Sequence, residues 1–324
     1  MTTQLQFPIR TLGKTNIQIT PIGLGMMEFA GGGGLIGKAF PVIAQEDKNA
    51  IVKAALDGGV NWFDTAEIYG GGISEASLAA ALKAAGKQNG DVVVATKWWP
   101  LFRASRNIPV SIDNRIRFLD GYSIDLYMVH QPFGLSTHES EMKAMADLVD
   151  AGKIRSVGVS NFSAKQMRLA AETLQRRGLP LAVNQVKYSL LDRAIEKDGI
   201  LETAKELGVT IIAYTSLESG LLTGKYHKNP QLLESKNFFF RSRLKSGIEK
   251  SRTLVAALEE IGVQHNATAA QVALNWVVSF HGDTVVTIPG ATKVRQAEEA
   301  AGAMHFCLSD AELGQLDELS RAIR

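Results

Sequence analysis

The chain has 324 residues, 35 Lys and Arg against 33 Asp and Glu, a net charge of +2 and one cysteine, Cys307. Its basic side chains are scattered rather than striped, which excludes a nucleic-acid partner, and a single cysteine excludes an internal disulfide framework. No apolar run nears the roughly 20 residues of a membrane span, and the first residues lack the basic flank and apolar core of a signal peptide, so a cytoplasmic protein without a membrane partner is expected.

In chain order, residues 7–19 alternate apolar and polar around Gly13-Lys14-Thr15-Asn16 and read as a hairpin. A strand comes next at 19–25, then a glycine run, Gly31 to Gly34, read as a loop. From there short apolar runs alternate with amphipathic ones. Strands are expected at 61–65, 92–97, 125–130, 156–160, 182–186, 210–214 and 284–288. Helices are expected at 45–56, 74–85, 111–119, 139–151, 164–176, 200–207 and 269–280, with Thr268 as an N-cap and a short eighth at 298–303. Residues 225–247 read as a long irregular connection, with an extra helix after it at 248–261. Nearly continuous apolar strands separated by helices indicate parallel βα units buried on both faces. Eight of them predict one domain over residues 1–324: a (β/α)8 TIM barrel with an N-terminal hairpin and enlarged loops on its C-terminal face.

Three of these strands end in polar groups: Asp64, Lys97 and His130, with Tyr69 on the loop after the first. In a parallel barrel the C-terminal strand ends face substrate. A free phenol yields its proton poorly at neutral pH. A cation beside it favours the phenolate, so Lys97 is expected to lower the pKa of Tyr69, with Asp64 keeping the lysine charged. His130 is a candidate donor to a carbonyl oxygen. Singly, each residue suits a structural role: a turn cap, a core ring or a satisfied interior histidine. Together at strand ends they read as a proton-donating site.

Gly32-Gly33-Gly34-Leu35-Ile36-Gly37 matches the G-x-G-x-x-G pattern of dinucleotide-binding turns. That pattern needs a strand directly before it and a helix opening from it. Here residues 26–30 stand between strand and glycines, and Pro41 breaks any helix on the far side, so a loop at the barrel mouth is preferred. No His, Cys and carboxylate grouping reads as a metal site.

Longer motifs carry a resemblance to the aldo-keto reductases over almost the full length. They are Phe63-Asp64-Thr65-Ala66 with Tyr69-Gly70, Ala95-Thr96-Lys97, Ile124-Asp125-Leu126-Tyr127 leading to His130, and Gly152-Lys153-Ile154-Arg155 with Gly158-Val159-Ser160-Asn161-Phe162. Asn184-Gln185, Ala213-Tyr214, Gly220-Leu221-Leu222-Thr223-Gly224-Lys225 and Ile288-Pro289-Gly290-Ala291 complete the set. The resemblance implies a catalytic tetrad of Asp64, Tyr69, Lys97 and His130, with Tyr69 the general acid. It implies NADPH as cofactor and a small-molecule carbonyl as substrate.

By the same resemblance Ser160, Asn161 and Gln185 hold the carboxamide of the nicotinamide, Tyr214 stacks on its ring, and Gly25 and Met26 line the cofactor site. Thr215, Ser216, Leu217, Ser219, Gly220 and Leu221, with Lys225 and Arg241 from the long loop, cover the pyrophosphate. Gly290, Thr292, Lys293, Gln296 and Glu299 serve the adenosine end, with Lys293 the cation for a 2′-phosphate. Where the family usually has an asparagine after Glu299, this chain has Ala300. Trp98, Trp99, Phe102 and Phe133 suit either an aromatic substrate pocket or packing at the rim. A slow cofactor-binding sensor resembling a channel β subunit is the alternative to an enzyme. Oligomeric state does not follow from the sequence.

Overall fold

The computed structural model describes residues 9–38, 41–234 and 238–323. Arg10–Thr11 (β1) and Gln18–Ile19 (β2) pair antiparallel as the expected hairpin, whose first two residues lie outside the described ones. Eight parallel strands make up the main sheet: Leu24–Gly25 (β3), Trp62–Asp64 (β4), Val93–Trp98 (β5), Ile124–Val129 (β6), Ile154–Ser160 (β7), Leu181–Lys187 (β8), Thr210–Tyr214 (β9) and Val285–Thr287 (β10). Each pairs with its neighbour in chain order. Parallel bridges Ile22 to Thr287 and Gly25 to Gly290 join first to last. The sheet therefore closes on itself, and the fold is a (β/α)8 barrel.

The expected strand 19–25 divides at Pro21, which has no N–H to give a ladder. Ile19 goes to the hairpin and Leu24 to the barrel, while the Pro21 carbonyl accepts from Thr287 N–H at 2.9 Å. The hairpin plugs the barrel floor. Leu12, Ile17 and Ile19 are buried with Trp62, Ala95, Leu126, Met128, Val183, Ile212 and Val286 in one interior cluster, and Gly13 N–H donates to Thr210 Oγ1 at 2.8 Å.

Three expectations need correction. The stretch after β3 is not featureless: a 3-10 turn Met27–Ala30 and a single helical turn Gly34–Gly37 occupy it. The irregular connection ends earlier than expected, because a helix Phe238–Gln264 absorbs residues 238–247 and the extra helix as one. The eighth helix begins at Val294 rather than 298, and a further helix, Asp310–Ala322, opens with a capping box in which Ser309 and Glu312 exchange side-chain and backbone bonds. Arg193 holds that last helix to the barrel. It pairs with Asp317 at 2.5 Å and lies over the rings of Trp276 and Phe280 at 4.9 and 5.2 Å.

Candidate active site

Strand register delivers the polar strand ends to one place. β4 ends with Asp64 opposite Ala95 of β5, Lys97 lies two residues on, and His130 comes directly after β6 with its N–H donating to Trp98 O at 3.0 Å. Inside the mouth Lys97 Nζ donates to Asp64 Oδ1 and, at 2.9 Å, to Thr65 O. Gln185, from β8 across the barrel, donates from Nε2 to Asp64 Oδ2 at 2.9 Å. Lys97 and Asp64 are 0% and 1% exposed, so the pair is sealed from water. Burial pushes the Asp64 carboxyl up and the Lys97 ammonium down, and their contact works against both shifts.

Tyr69 stands above this cluster, half-buried, with Lys97 Nζ 5.2 Å from its ring centroid and His130 edge-on at 5.8 Å. The sequence reaches that position through Gly70, Gly71 and Gly72, at φ 75°, 66° and 115°. Three left-handed residues in a row are a glycine prerogative, and they turn the chain sharply from Tyr69 into the helix Ile73–Ala84. Burial, then Asp64 and Glu28, push the Tyr69 phenol well above its ordinary range. This reverses the expected lowering by Lys97, whose ammonium donates to Asp64 and Thr65 O. Burial and Lys97 push His130 well below its usual value, so its imidazole is neutral at physiological pH, and its buried Nδ1 has no hydrogen-bond partner among the described residues. A neutral imidazole donates a hydrogen bond without giving up a proton, and a protonated phenol is then the acid available.

Residues 21–321 match the sequence profile of the Aldo/keto reductase family. This chain belongs to that family. Over 98% of the chain and 93% of its counterpart it is 34% identical to aldo-keto reductase str7 of Strobilurus tenacellus. Over 97% and 92% it is 28% identical to the L-glyceraldehyde 3-phosphate reductase of Escherichia coli. A crystal structure of a thermostable aldo-keto reductase with the inhibitor epalrestat superposes with a TM-score of 0.76 at 31% identity, covering 96% of this chain and 99% of that one. The glycerol dehydrogenase of Gluconobacter oxydans gives 0.80 at 28%, covering 97% and 95%. The aldo/keto reductase described here is thus an oxidoreductase that reduces carbonyl groups to alcohols.

In this reductase the residues expected at the nicotinamide end do converge. Ser160 Oγ donates to Gln185 O at 2.9 Å, Asn161 Nδ2 donates to Ser160 Oγ at 3.1 Å, and Tyr214 Oη donates to Asn161 Oδ1 at 2.9 Å. Asn161 adopts φ 60° after β7, and Ser163 takes the helix N-cap, as its position suggests. Gly25 closes the barrel against Gly290, and buried Met26 donates its N–H to Asp64 O at 2.9 Å.

Other expected contacts are spent elsewhere. The Ser216 hydroxyl is buried between β9 and β10 on Ala213 O and Thr287 Oγ1. Leu221 packs with Tyr226, Leu233, Leu244 and Ile248, and Arg241 lies on the helix Phe238–Gln264 rather than in a loop. Thr215 and Ser219 take left-handed φ values of 58° and 55° and flank Leu217 in the turn that leads to Gly220, beside Lys225. Gln296 Oε1 accepts from Thr292 N–H at 2.7 Å and Lys293 N–H at 3.1 Å, bracing the loop in front of the helix Val294–Gly302. Lys293 is exposed there, Glu299 pairs with Arg295 at 3.6 Å, and Ala300 is buried.

Around the mouth, Trp99 stands edge-on to both His130 and Phe133, at 5.2 and 5.7 Å. Trp98 is fully buried with its indole N–H on Asn107, so it belongs to the core, while Phe102 is 81% exposed on the rim. Glu67 carries no motif that marks it in the sequence. It accepts from Trp99 N–H at 3.1 Å and from Arg103 at 2.6 Å, tying the loop after β5 to the loop that carries Tyr69.

Proposed function

We propose that this chain acts as one (β/α)8 domain, an NADPH-dependent cytoplasmic carbonyl reductase in which Tyr69 gives the proton. The observation that carries this reading is the sealed Lys97–Asp64–Gln185 cluster beneath a protonated phenol and beside a neutral imidazole. Bound NADPH supplies the hydride that reaches the carbonyl carbon. His130 then donates a hydrogen bond to the carbonyl oxygen and orients it. Tyr69 releases its proton to that oxygen as negative charge develops on it. The ammonium of Lys97, held by Asp64, faces the charge left on the phenol ring.

The acceptor side of a primary amide fits at the nicotinamide end: Gln185 spends Nε2 on Asp64 and retains Oε1 as an acceptor, while Asn161 beside it gives Nδ2 to Ser160 Oγ and His130 O. Tyr214 supplies a flat ring with a pinned hydroxyl. NADP(+) stands in the name of a Schizosaccharomyces pombe aldo-keto reductase, yakc, that is 30% identical over 97% of this chain. Lys293, next to a helix N-terminus, would meet the 2′-phosphate, where the helix dipole also favours an anion.

The test is NADPH oxidation with a panel of aromatic, aliphatic and sugar aldehydes, for wild type and Tyr69→Phe. The variant keeps the ring and loses the proton. Its kcat should fall roughly 10²–10⁴-fold, with NADPH affinity by fluorescence titration nearly unchanged. Wild-type kcat in the variant would remove Tyr69 from the acid role. Tight cofactor binding with no turnover on any aldehyde would leave a sensor instead.

A further inference from the structure

The turn that carries Tyr69 passes through three left-handed glycines before it reaches Ser74, and their backbone freedom sets no direction for the phenol. Ser74 closes the turn. From the first turn of the helix Ile73–Ala84 its N–H donates to Tyr69 O at 3.2 Å. Its hydroxyl reaches the barrel wall, where Oγ donates to Met26 O at 2.7 Å, just past β3, and accepts from Thr65 Oγ1 at 2.8 Å, just past β4. Ser74, Thr65 and Met26 are all fully buried, so removing the hydroxyl leaves both partners unpaired away from water.

Both ends of this bridge belong to the reacting cluster. Thr65 O accepts from Lys97 Nζ at 2.9 Å, and Met26 N–H donates to Asp64 O at 2.9 Å. One residue on, the buried Glu75 accepts from Thr96 Oγ1 at 2.6 Å and from Arg115 Nη1 at 2.7 Å, which fastens the same helical turn to the residue before Lys97. The start of the helix is thus attached to the segments that supply Asp64 and Lys97, and the Tyr69 carbonyl is bonded to it. We propose that Ser74 is a positioning residue for the proton step: its hydroxyl bridge from Thr65 to Met26 sets where the glycine turn holds the Tyr69 phenol over Lys97. The inference rests on Tyr69 being the proton donor. Without the bridge the turn shifts about its glycines, and the phenol lines up with the carbonyl oxygen for a smaller share of the time. Proton transfer slows, while Lys97 and Asp64 keep the bond between them.

Ser74→Ala removes the bridge. Ser156→Ala removes a buried hydroxyl of the same kind, which donates to Asp125 O at 2.6 Å near the start of β7. Single-turnover NADPH oxidation is followed in H2O and in D2O with the aldehyde that wild type reduces fastest, per cofactor site counted by fluorescence titration. In Ser74→Ala the rate should fall roughly 10–100-fold, and the solvent isotope effect should rise because proton transfer has become the slower part of the step. Ser156→Ala should keep wild-type values of both. Thr65→Val takes the bridge away from its other side and should act in the same direction, whereas Thr65→Ser keeps the hydroxyl and should recover most of that loss. If Ser74→Ala does not fold, the Thr65 pair decides. A wild-type rate in the bridge-free variant, a loss with an unmoved isotope effect, or an equal loss in Ser156→Ala overturns the proposal. Failure of the underlying reading looks different: Tyr69→Phe would then keep its turnover, whatever the Ser74 and Thr65 variants do.

Discussion

Lys97 has its stem and its ammonium sealed from water, and its ammonium donates to Asp64 and Thr65 O. Replacing it with methionine keeps the packing and strands a buried carboxylate, a change that costs about 3–5 kcal/mol when one partner of a buried pair is removed. Lys97→Met should therefore melt well below wild type in a thermal scan, and its alcohol oxidation should require a higher pH, because the phenolate loses the cation facing it. Wild-type stability together with an unmoved profile would contradict both roles. Asp64, Lys97 and His130 are readable in the sequence because each closes an apolar run, and a strand end fixes where its side chain goes. Glu28 is not, since a carboxyl in a glycine-rich loop carries no periodic signal. The direction in which Tyr69 shifts is hidden for a related reason. Sequence names the neighbouring charges, but not how deeply the phenol is buried or that Lys97 already has two partners. Trp98 ends β5 with its ring in the core, whereas Trp99 opens the loop after it, so only Trp99 reaches the mouth.

Elements with a clean period and clear breakers lie where expected, as the six βα repeats from β4 to β9 show. Misses lie where composition hides the boundary. Gly247 and the mixed stretch before it disguise the first ten residues of the helix Phe238–Gln264. The last helix is absent from the expected elements although Ser309 and Glu312 carry a capping-box spacing that announces it. That helix depends on Arg193, which reaches Asp317 and Glu196 and covers Trp276 and Phe280. Arg193→Ala should release Asp310–Ala322 as a local unit, seen as faster amide hydrogen exchange in residues 310–322 with little change in the barrel strands. Uniform acceleration across both would mean the clamp supports the whole fold.

Across the molecule, three carboxyls with displaced titrations predict the shape of the pH–stability curve. Burial raises Glu75 to about 7, with Arg115 and Thr96 pulling it back, and raises Glu28 to about 6. For both, the folded value lies above the unfolded one near 4.5, so their contribution is present below about 4.5 and is lost as pH rises through 6 to 7. Glu196 is the opposite case. Burial works to raise it, but hydrogen bonds from His281, Tyr188 and Arg193 outweigh burial and hold it at about 2. Its contribution is present above about 4.5 and disappears as pH falls through about 2. Thermal unfolding monitored by circular dichroism should therefore show a melting temperature that declines from pH 5 to pH 8. Glu28→Gln should flatten part of that decline and leave the acid limb alone, whereas Glu196→Gln should flatten the acid limb. A decline of unchanged slope in Glu28→Gln would show that its carboxyl titrates as it does in the unfolded chain.

The seam between β3 and β10 joins residues near opposite ends of the chain, Ile22 with Thr287 and Gly25 with Gly290. On the ribosome, the first barrel strand is therefore made long before its second neighbour exists. Any nascent or truncated chain that stops short of Val285 presents β3 and β9 as two unpaired parallel edges, each a row of free N–H and C=O groups. Two such chains can satisfy each other edge to edge, so a barrel that has no edge when complete is most prone to self-association just before its final strand is synthesised.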